Sequence, residues 1–593
     1  MQQTQHALGL SRRRRPTRAF DPTGPPACAP SARPVTRRPA GLVTGRARMA
    51  TLRALPQPPR SFMNPALQAR VDALFADLAD RAAPGLAIGI LKDGERLLAR
   101  GYGLASLEQQ TRLRADSVLR IASVSKQFTV AAILLLERRG RLSRQDELGL
   151  HVPELAGLPL RLEQLMRNAS GLPDLLELQR LSGVQLDQRV TRAELLAVMA
   201  RCRHLNFEPG SRFLYSNSGF ALLGLVAERV AGEPLGALLE REFFRPLGMN
   251  ATRMLVESDL PLPGLATPYI GDGQGGWRRA QHGFEHGGEG GLTSTAEDLL
   301  LWAAHLLEPT EGVPDLAVEL MARVPLAGGA ASPYANGLEH SRLDGRLACV
   351  GHGGLWPGFR TEFLLLPQER LAVVVISNDG SGPNPYRVAR ELARLVLDLP
   401  APPQPSAAQQ QALCGTWLHA EAGQFFELAP APGGRLLATQ WGTPFELQAQ
   451  ADGSWLPLRG AYEFQLLGLQ PDGRLALDIG AGERLLCARV EARTPLPAGL
   501  AGEYWSEDAA TRWRIEPGAD AACLQLWTEG PRLKLQEPWL LHGLAGELVE
   551  LRASGYWMHN SWLLRPERDA AGAVSALCVD TARIKGLRLQ RCG

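Results

Sequence analysis

The sequence predicts an α+β domain followed by two all-β modules. Two apolar hairpins, one near residue 90 and one near residue 370, bracket a long stretch of helical pattern, so distant segments must close one sheet. After Pro400 the pattern changes to short strands separated by Gly- and Asp-rich turns such as Gly433-Gly434, Asp452-Gly453 and Asp472-Gly473. Two stretches of that region also echo each other. Cys414-Gly415-Thr416-Trp417 with Phe425-Phe426-Glu427-Leu428 matches Ala501-Gly502-Glu503-Tyr504 with Trp513-Arg514-Ile515, which divides the region near residue 498.

In chain order, residues 1–62 hold twelve arginines, no lysine and one acid, Asp21. That segment carries +11 and the remainder about −8, against +3 overall. Prolines follow Arg12 to Arg15 where an export signal needs an apolar stretch, so the segment reads as a disordered extension or as the product of a start codon placed too early. Residues 63–399 form the first domain. Within it, 64–82 reads as an amphipathic helix, and Pro84-Gly85 introduces strands over Leu86 to Leu91 and Arg96 to Tyr102 around Asp93-Gly94. Phe359 to Leu366 and Leu371 to Ser377 make the second hairpin, and Arg387 to Leu397 a final helix. Residues 400–411 are a linker by their Pro and Gln content, and 412–498 and 499–593 are two β-barrel domains.

Eight scattered cysteines without a Cys-x-x-Cys pair fit neither a zinc site nor a disulfide scaffold and read as mostly buried free thiols. No run of eighteen apolar residues exists, so no membrane span is expected and the default compartment is the cytoplasm. No nucleic-acid partner is expected.

Four lysines stand against sixty arginines, and one of them, Lys126, lies three residues after Ser123 in Ile121-Ala122-Ser123-Val124-Ser125-Lys126-Gln127-Phe128-Thr129. A buried lysine can give up its proton near neutrality and an arginine cannot. If the apolar run from Val130 marks a helix, spacing of three puts hydroxyl and amine on one face, an activated-serine arrangement. Further along, Glu208-Pro209-Gly210-Ser211 leads to Tyr215-Ser216-Asn217 just before a helical run. There Tyr215 fits a phenolate base beside a lysine cation, and Asn217 offers a paired donor and acceptor. A second Tyr-x-Asn, at Tyr334 and Asn336, lacks that lead-in. Gly351-His352-Gly353-Gly354-Leu355 precedes the closing hairpin, where glycines let a substrate approach an edge strand. His282 and His286 have the spacing of helical metal ligands, but Gly283 and Gly287 argue against a helix, and no metal or cofactor is expected. Gly271-x-Gly273-x-x-Gly276 matches a dinucleotide fingerprint only as text, since no strand precedes it and no helix follows.

With Ser123-x-x-Lys126, Tyr215-Ser216-Asn217 and His352-Gly353-Gly354 in this order, the chain resembles the penicillin-recognising serine hydrolases, the family of class C β-lactamases and DD-peptidases. Asn168 to Pro173, Pro246-Leu247-Gly248-Met249 and Gly290 to Asp298 extend the likeness over residues 64–397. The two-module tail, and histidine where β-lactamases usually have lysine, resemble the D-aminopeptidase branch. The resemblance implies a β-lactamase/transpeptidase-like catalytic domain, with an antiparallel sheet flanked by helices plus a helical subdomain, followed by two antiparallel eight-stranded barrels. It implies Ser123 as an acylated nucleophile, Lys126 as its proton partner, Tyr215 as general base and acid, Asn217 as positioner and His352 as an aid at the substrate side. The oxyanion would be held by the N–H groups of Ser123 and Leu355, with Gly353 and Gly354 beside the substrate. The expected substrates are small peptides, amides or esters containing D-amino acids, and a homodimer is implied. In that branch a loop of the last barrel brings a carboxylate to the substrate amine. The matching stretch here, 552–560, has no acid and offers Tyr556 and Trp557 instead, with Glu547 and Glu550 as the alternatives. An esterase or weak β-lactamase, and a non-catalytic binder of cell-wall fragments, remain as other readings.

Overall fold

The computed structural model describes residues 65–80, 82–458, 465–479, 484–518, 523–530, 537–553 and 560–592. The arginine-rich segment, and Tyr556 and Trp557 with it, lie outside the described residues.

The first domain is organised on a six-stranded antiparallel sheet. Its strands are β1 (Leu86–Lys92), β2 (Glu95–Tyr102), β3 (Glu339–Leu343), β4 (Leu347–Trp356), β5 (Phe359–Leu366) and β6 (Leu371–Ser377), in the spatial order β3-β4-β5-β6-β1-β2. As expected, chain-distant strands close it, Leu86 pairing with Ser377 and Lys92 with Leu371. The β1–β2 turn is tight because Asp93 and Gly94 both take positive φ, 52° and 81°, which Asp tolerates and Gly adopts freely. Strand β1 is buried on both faces, so it reads as a continuous apolar run. Leu86, Ile88 and Ile90 pack with Val388 and Leu392 of the helix Pro385–Val396, while Ala87 and Leu91 face the core that holds Leu299 and Leu300 of the helix Ala296–Leu307. Asn384 caps the first of these helices through Tyr386 N, with Pro385 in its first turn.

The predicted N-terminal helix is broken into Pro65–Leu74 and Ala76–Asp80. Part of the predicted linker is also ordered, as a short helix Ala407–Leu413 with a Ser406/Gln409 capping box. Of the seven described cysteines, all free, only Cys202, Cys349 and Cys487 are buried; four are partly exposed, so the reading of mostly buried thiols is corrected. No described helix is long and apolar enough to cross a membrane.

Each all-β module is a closed eight-stranded antiparallel barrel, spanning Gly415–Arg489 and Gly502–Arg591. The sequence echo is a structural one. Trp417 Nε1 donates to the Leu413 carbonyl at 2.9 Å, and Tyr504 Oη to the Leu500 carbonyl at 2.8 Å, each reaching back four residues from the first strand. Arg489 and Arg591 lie over these two rings.

The second barrel is joined to the catalytic domain through the helix Leu175–Leu181. Leu178 and Leu181 enter the barrel's core with Trp513, Trp539 and Trp562. The Leu181 carbonyl, a helix-end acceptor without an intrahelical donor, takes Trp513 Nε1 at 3.1 Å, Thr511 Oγ1 at 3.2 Å and Thr528 Oγ1 at 2.7 Å.

Candidate active site

Ser123 sits in a single 3₁₀ turn, Ala122–Val124, that runs straight into the helix Ser125–Arg138. Ala122 just before it has φ 48°, a left-handed conformation unfavourable for alanine, so the surrounding packing must hold this turn. Part of that packing is β4. A Cβ on Gly354 would come within 2.2 Å of the Ile121 carbonyl oxygen, so the glycine lets the nucleophile turn close against the strand. The predicted substrate approach at Gly354 is thus taken by the protein's own backbone.

Lys126 is fully buried, and its Nζ contacts Ser123 Oγ at 3.0 Å, Asn217 Oδ1 at 2.9 Å and the Glu289 carbonyl at 2.6 Å. Burial pushes the lysine down to about 7; the charge of Glu289 opposes that shift and the guanidinium of Arg583 adds to it. Asn217 opens the helix Asn217–Ala231, capped by Ser216. Its amide orientation is fixed because Nδ2 donates to Asp174 Oδ2 at 2.9 Å, which leaves Oδ1 for the lysine. Asp174 also accepts from Asn217 N at 2.7 Å and, as N-cap of its own helix, from Leu176 N and Glu177 N. Tyr215 is buried and lines the cleft with Ser123. Burial raises its phenol above the ordinary value, with the charge of Arg583 and the nearby Ser123 hydroxyl pulling the other way. These opposite shifts favour a neutral amine beside a neutral phenol, in place of the predicted phenolate beside a lysine cation.

Ser123, Tyr215 and Asn217 line a cleft of about 70 Å³ together with Glu289, Leu355 and Arg583. Leu355 is 41% exposed at the mouth. His352, Gly353 and Gly354 do not line it. His352 lies behind Tyr215, ring centroids 5.9 Å apart, with Nδ1 on the Gly353 carbonyl at 2.6 Å and Nε2 on Tyr334 Oη at 2.9 Å. A carbonyl only accepts, so Nδ1 carries the hydrogen and Nε2 receives the Tyr334 hydroxyl. Burial, then the charge of Lys126, push this histidine down to about 3, so it is neutral. Tyr334 packs edge-on to Tyr215 but does not line the cleft, and Asn336 Nδ2 bonds the Glu319 carbonyl at 2.7 Å.

Several groups at the cleft were either not singled out from sequence, as with Glu285, Glu289, Trp356 and Arg583, or, as with His282 and His286, weighed there for another role. The loop 281–291 supplies His282, Glu285, His286 and Glu289. Glu289 accepts from His286 Nδ1 at 3.1 Å and Gly287 N at 3.0 Å; burial raises its carboxyl, but the His286 bond and charge hold it at about 2. Trp356 stacks on His282 and carries Arg120 over its ring. Gly271 to Gly276 form a hairpin turn between Tyr269–Gly271 and Trp277–Arg279. Among the described residues of the second barrel, Arg583, in the connection that follows the strand Val574–Asp580, lines the cleft. Glu547 pairs with Arg568 and Glu550 with Ser561 and Arg493, both away from the cleft.

Comparisons with known proteins agree with this architecture. The D-aminopeptidase of Gluconobacter oxydans is 29% identical over 377 residues, 63% of this chain and 71% of that protein. The D-aminopeptidase of Brucella ovis is 26% identical over 543 residues, 89% of this chain and 99% of that one. The octameric penicillin-binding protein homologue from Pyrococcus abyssi superposes with a TM-score of 0.51 at 20% identity, covering 82% of this chain and 98% of its own, a likeness of fold. The sequence model named Beta-lactamase matches residues 71–398, more than half of the sequence and nearly all of the domain that carries Ser123, Lys126 and Tyr215, and on that ground the chain belongs to the beta-lactamase family and is a serine hydrolase.

Proposed function

We propose that the protein hydrolyses amides or short peptides of D-amino acids through an acyl-enzyme on Ser123. The observation that carries the reading is the set of partners around Lys126 Nζ. A neutral amine has two hydrogens and one lone pair. Asn217 Oδ1 and the Glu289 carbonyl accept only, so they take the two hydrogens, and the lone pair is left for the hydroxyl of Ser123 at 3.0 Å. With its pKa brought to about 7, the amine is a base suited to neutral pH.

In acylation the Ser123 oxygen bonds to the substrate carbonyl carbon while its proton passes to Lys126. The N–H groups of Ser123 and Leu355 hold the oxyanion. Tyr215 then protonates the departing nitrogen as the carbon–nitrogen bond breaks, and Lys126, 5.0 Å from the phenol ring centre, returns the proton to the tyrosine. Water attacks the ester in the reverse sense. The D-amino-acid preference is supported by the similarity to D-aminopeptidases along nearly their whole length. The acids that line the cleft, Glu285 and the ionised Glu289, suit a substrate ammonium without any help from the last-barrel loop.

The test is a pair of alanine p-nitroanilides of opposite hand, with intact-mass analysis after exposure to a fluorophosphonate. The expected result is turnover of the D-anilide, an adduct on the wild type and neither in Ser123→Ala. Turnover that persists in Ser123→Ala overturns the nucleophile, and faster turnover of the L-anilide overturns the stereochemical reading.

A further inference from the structure

We propose that Asn168 is a positioning residue for Tyr215: it grips the loop on either side of the tyrosine and so sets where the phenol stands against the departing nitrogen. The inference rests on the reading of Tyr215 as proton donor given above and names a further residue on which that step depends.

Three observations carry it. Asn168 holds both neighbours of Tyr215 at once, its carbonyl accepting from Leu214 N at 3.0 Å and its side-chain Oδ1 from Ser216 N at 3.0 Å. Ser216 is extended, φ −144° and ψ 133°, and in extended chain alternate N–H groups leave on the same side, so one residue can reach both. Such a grip needs a backbone and a side-chain acceptor aimed the same way. Asn168 supplies them from a left-handed conformation, φ 53°, which Asn adopts more readily than most residues, and its short amide stands in for a peptide group. Finally, the grip is buried and rooted. Asn168 is 2% exposed and follows the helix Leu162–Met166, its N–H closing on the Leu165 carbonyl at 3.2 Å.

The residues after Asn168 continue the contact. The Ala169 carbonyl takes Gly210 N at 2.7 Å and the Gly171 carbonyl takes Asn206 N at 2.7 Å, so the whole approach to Tyr215 is laid along 168–171, a stretch that carries part of the family resemblance. The Tyr215 ring leaves from between the two held N–H groups, its centre 5.0 Å from Lys126 Nζ. A displacement of about an ångström there can cost about a hundredfold in rate. That loss depends on the leaving group. An anilide nitrogen must be protonated as it departs, whereas p-nitrophenolate departs as an anion, so the contrast between them separates the placing of Tyr215 from a general loosening of the fold.

The experiment measures single-turnover acylation of each protein by D-alanine p-nitroanilide and by p-nitrophenyl acetate, and reads the ratio of the two rates. A general loss of structure slows both, so the ratio isolates the proton delivered to the leaving nitrogen. Asn168→Gly keeps the left-handed backbone and the bond from Leu214 N but removes the acceptor of Ser216 N, and Asn168→Ser leaves a hydroxyl one bond short of it. In both, the anilide-to-ester ratio should fall by about tenfold to a hundredfold. Asn168→Asp, which keeps an acceptor on the same stem, should restore most of it. Tyr215→Phe should lower the ratio by about a hundredfold, and adding Asn168→Gly to it should lower it by less than about threefold more, because the two changes remove one function. A ratio within about threefold of wild type in Asn168→Gly and Asn168→Ser, or full additivity with Tyr215→Phe, overturns the inference. So does loss of folding in both short variants while Asn168→Asp folds, which would mark a purely structural role, and so does an Asn168→Asp ratio as low as that of Asn168→Gly. A Tyr215→Phe protein with the wild-type ratio overturns the reading of the tyrosine and the inference with it, and a wild type without a p-nitrophenol burst overturns the hydrolase reading beneath both.

Discussion

The acylation rate should rise with pH through a midpoint of about 7, and Lys126 should set that midpoint. The amine falls from an ordinary 10.5 to about 7, chiefly through burial. That shift corresponds to about 5 kcal/mol against the charged form. A free lysine would be neutral in roughly one molecule in three thousand at pH 7, whereas here about half the molecules are. Since only the neutral amine can take the Ser123 proton, the rate should fall to about a tenth of its plateau at pH 6 and about a hundredth at pH 5. Stability follows the same group. Its folded-state pKa lies below the unfolded one, so the penalty is full below pH 7 and fades as pH climbs toward 10.5. The assay is the pre-steady-state burst of p-nitrophenol from p-nitrophenyl acetate between pH 5 and 9. Arg583→Gln supplies a directional check: the guanidinium depresses the lysine, so its removal should move the midpoint upward. His352, at about 3, does not titrate in this window. A rate that is flat from pH 5 to 8, or a midpoint that stays fixed in Arg583→Gln, would refute the assignment.

Further outcomes follow from neighbouring contacts. Lys126→Arg keeps a permanent cation and should lower the burst rate by about a hundredfold or more, with the acid limb abolished. Tyr215→Phe should slow anilide acylation by about a hundredfold, while Tyr334→Phe, whose hydroxyl bonds His352 behind the wall, should cost less than about tenfold, both read by single turnover. Gly354→Ala puts a methyl 2.2 Å from the Ile121 carbonyl oxygen and should cost about 1–3 kcal/mol in urea unfolding along with most of the activity. Asp174→Ala removes a helix cap and the anchor of Asn217; unfolding should register a loss of about 2 kcal/mol, and the burst rate should drop even where the protein stays folded.

Much of this was legible in the residues, and the reason is local. The interior strands β1 and β6 are apolar on both faces, Asp93-Gly94 can hardly be anything but a tight turn, and the echo around Trp417 and Tyr504 marks two copies of one barrel plan. Ser123 and Lys126 stand out because a one-turn spacing survives even though the serine sits in a 3₁₀ turn ahead of the α-helix. What stayed hidden depends on segments remote in sequence. Nothing distinguishes Arg583 among sixty arginines until the barrel docks. Asp174 does carry a signal, an acid just ahead of the apolar run that begins at Leu175, but that marks a helix start and not the partner of Asn217. His282 and His286, weighed in the sequence as metal ligands and set aside, line the cleft beside Trp356. The left-handed Ala122 has no sequence mark at all, because alanine is not a residue that announces positive φ.

The short helix Leu175–Leu181 has one end at the nucleophile's neighbours and the other sealed inside a β-barrel. Excising that barrel would therefore not trim an accessory module from a self-sufficient hydrolase. It would expose two leucines, strip three donors from one carbonyl and release the strut that keeps Asp174 under Asn217. Catalytic domain and last barrel should accordingly melt in one transition, joined across their shared strut.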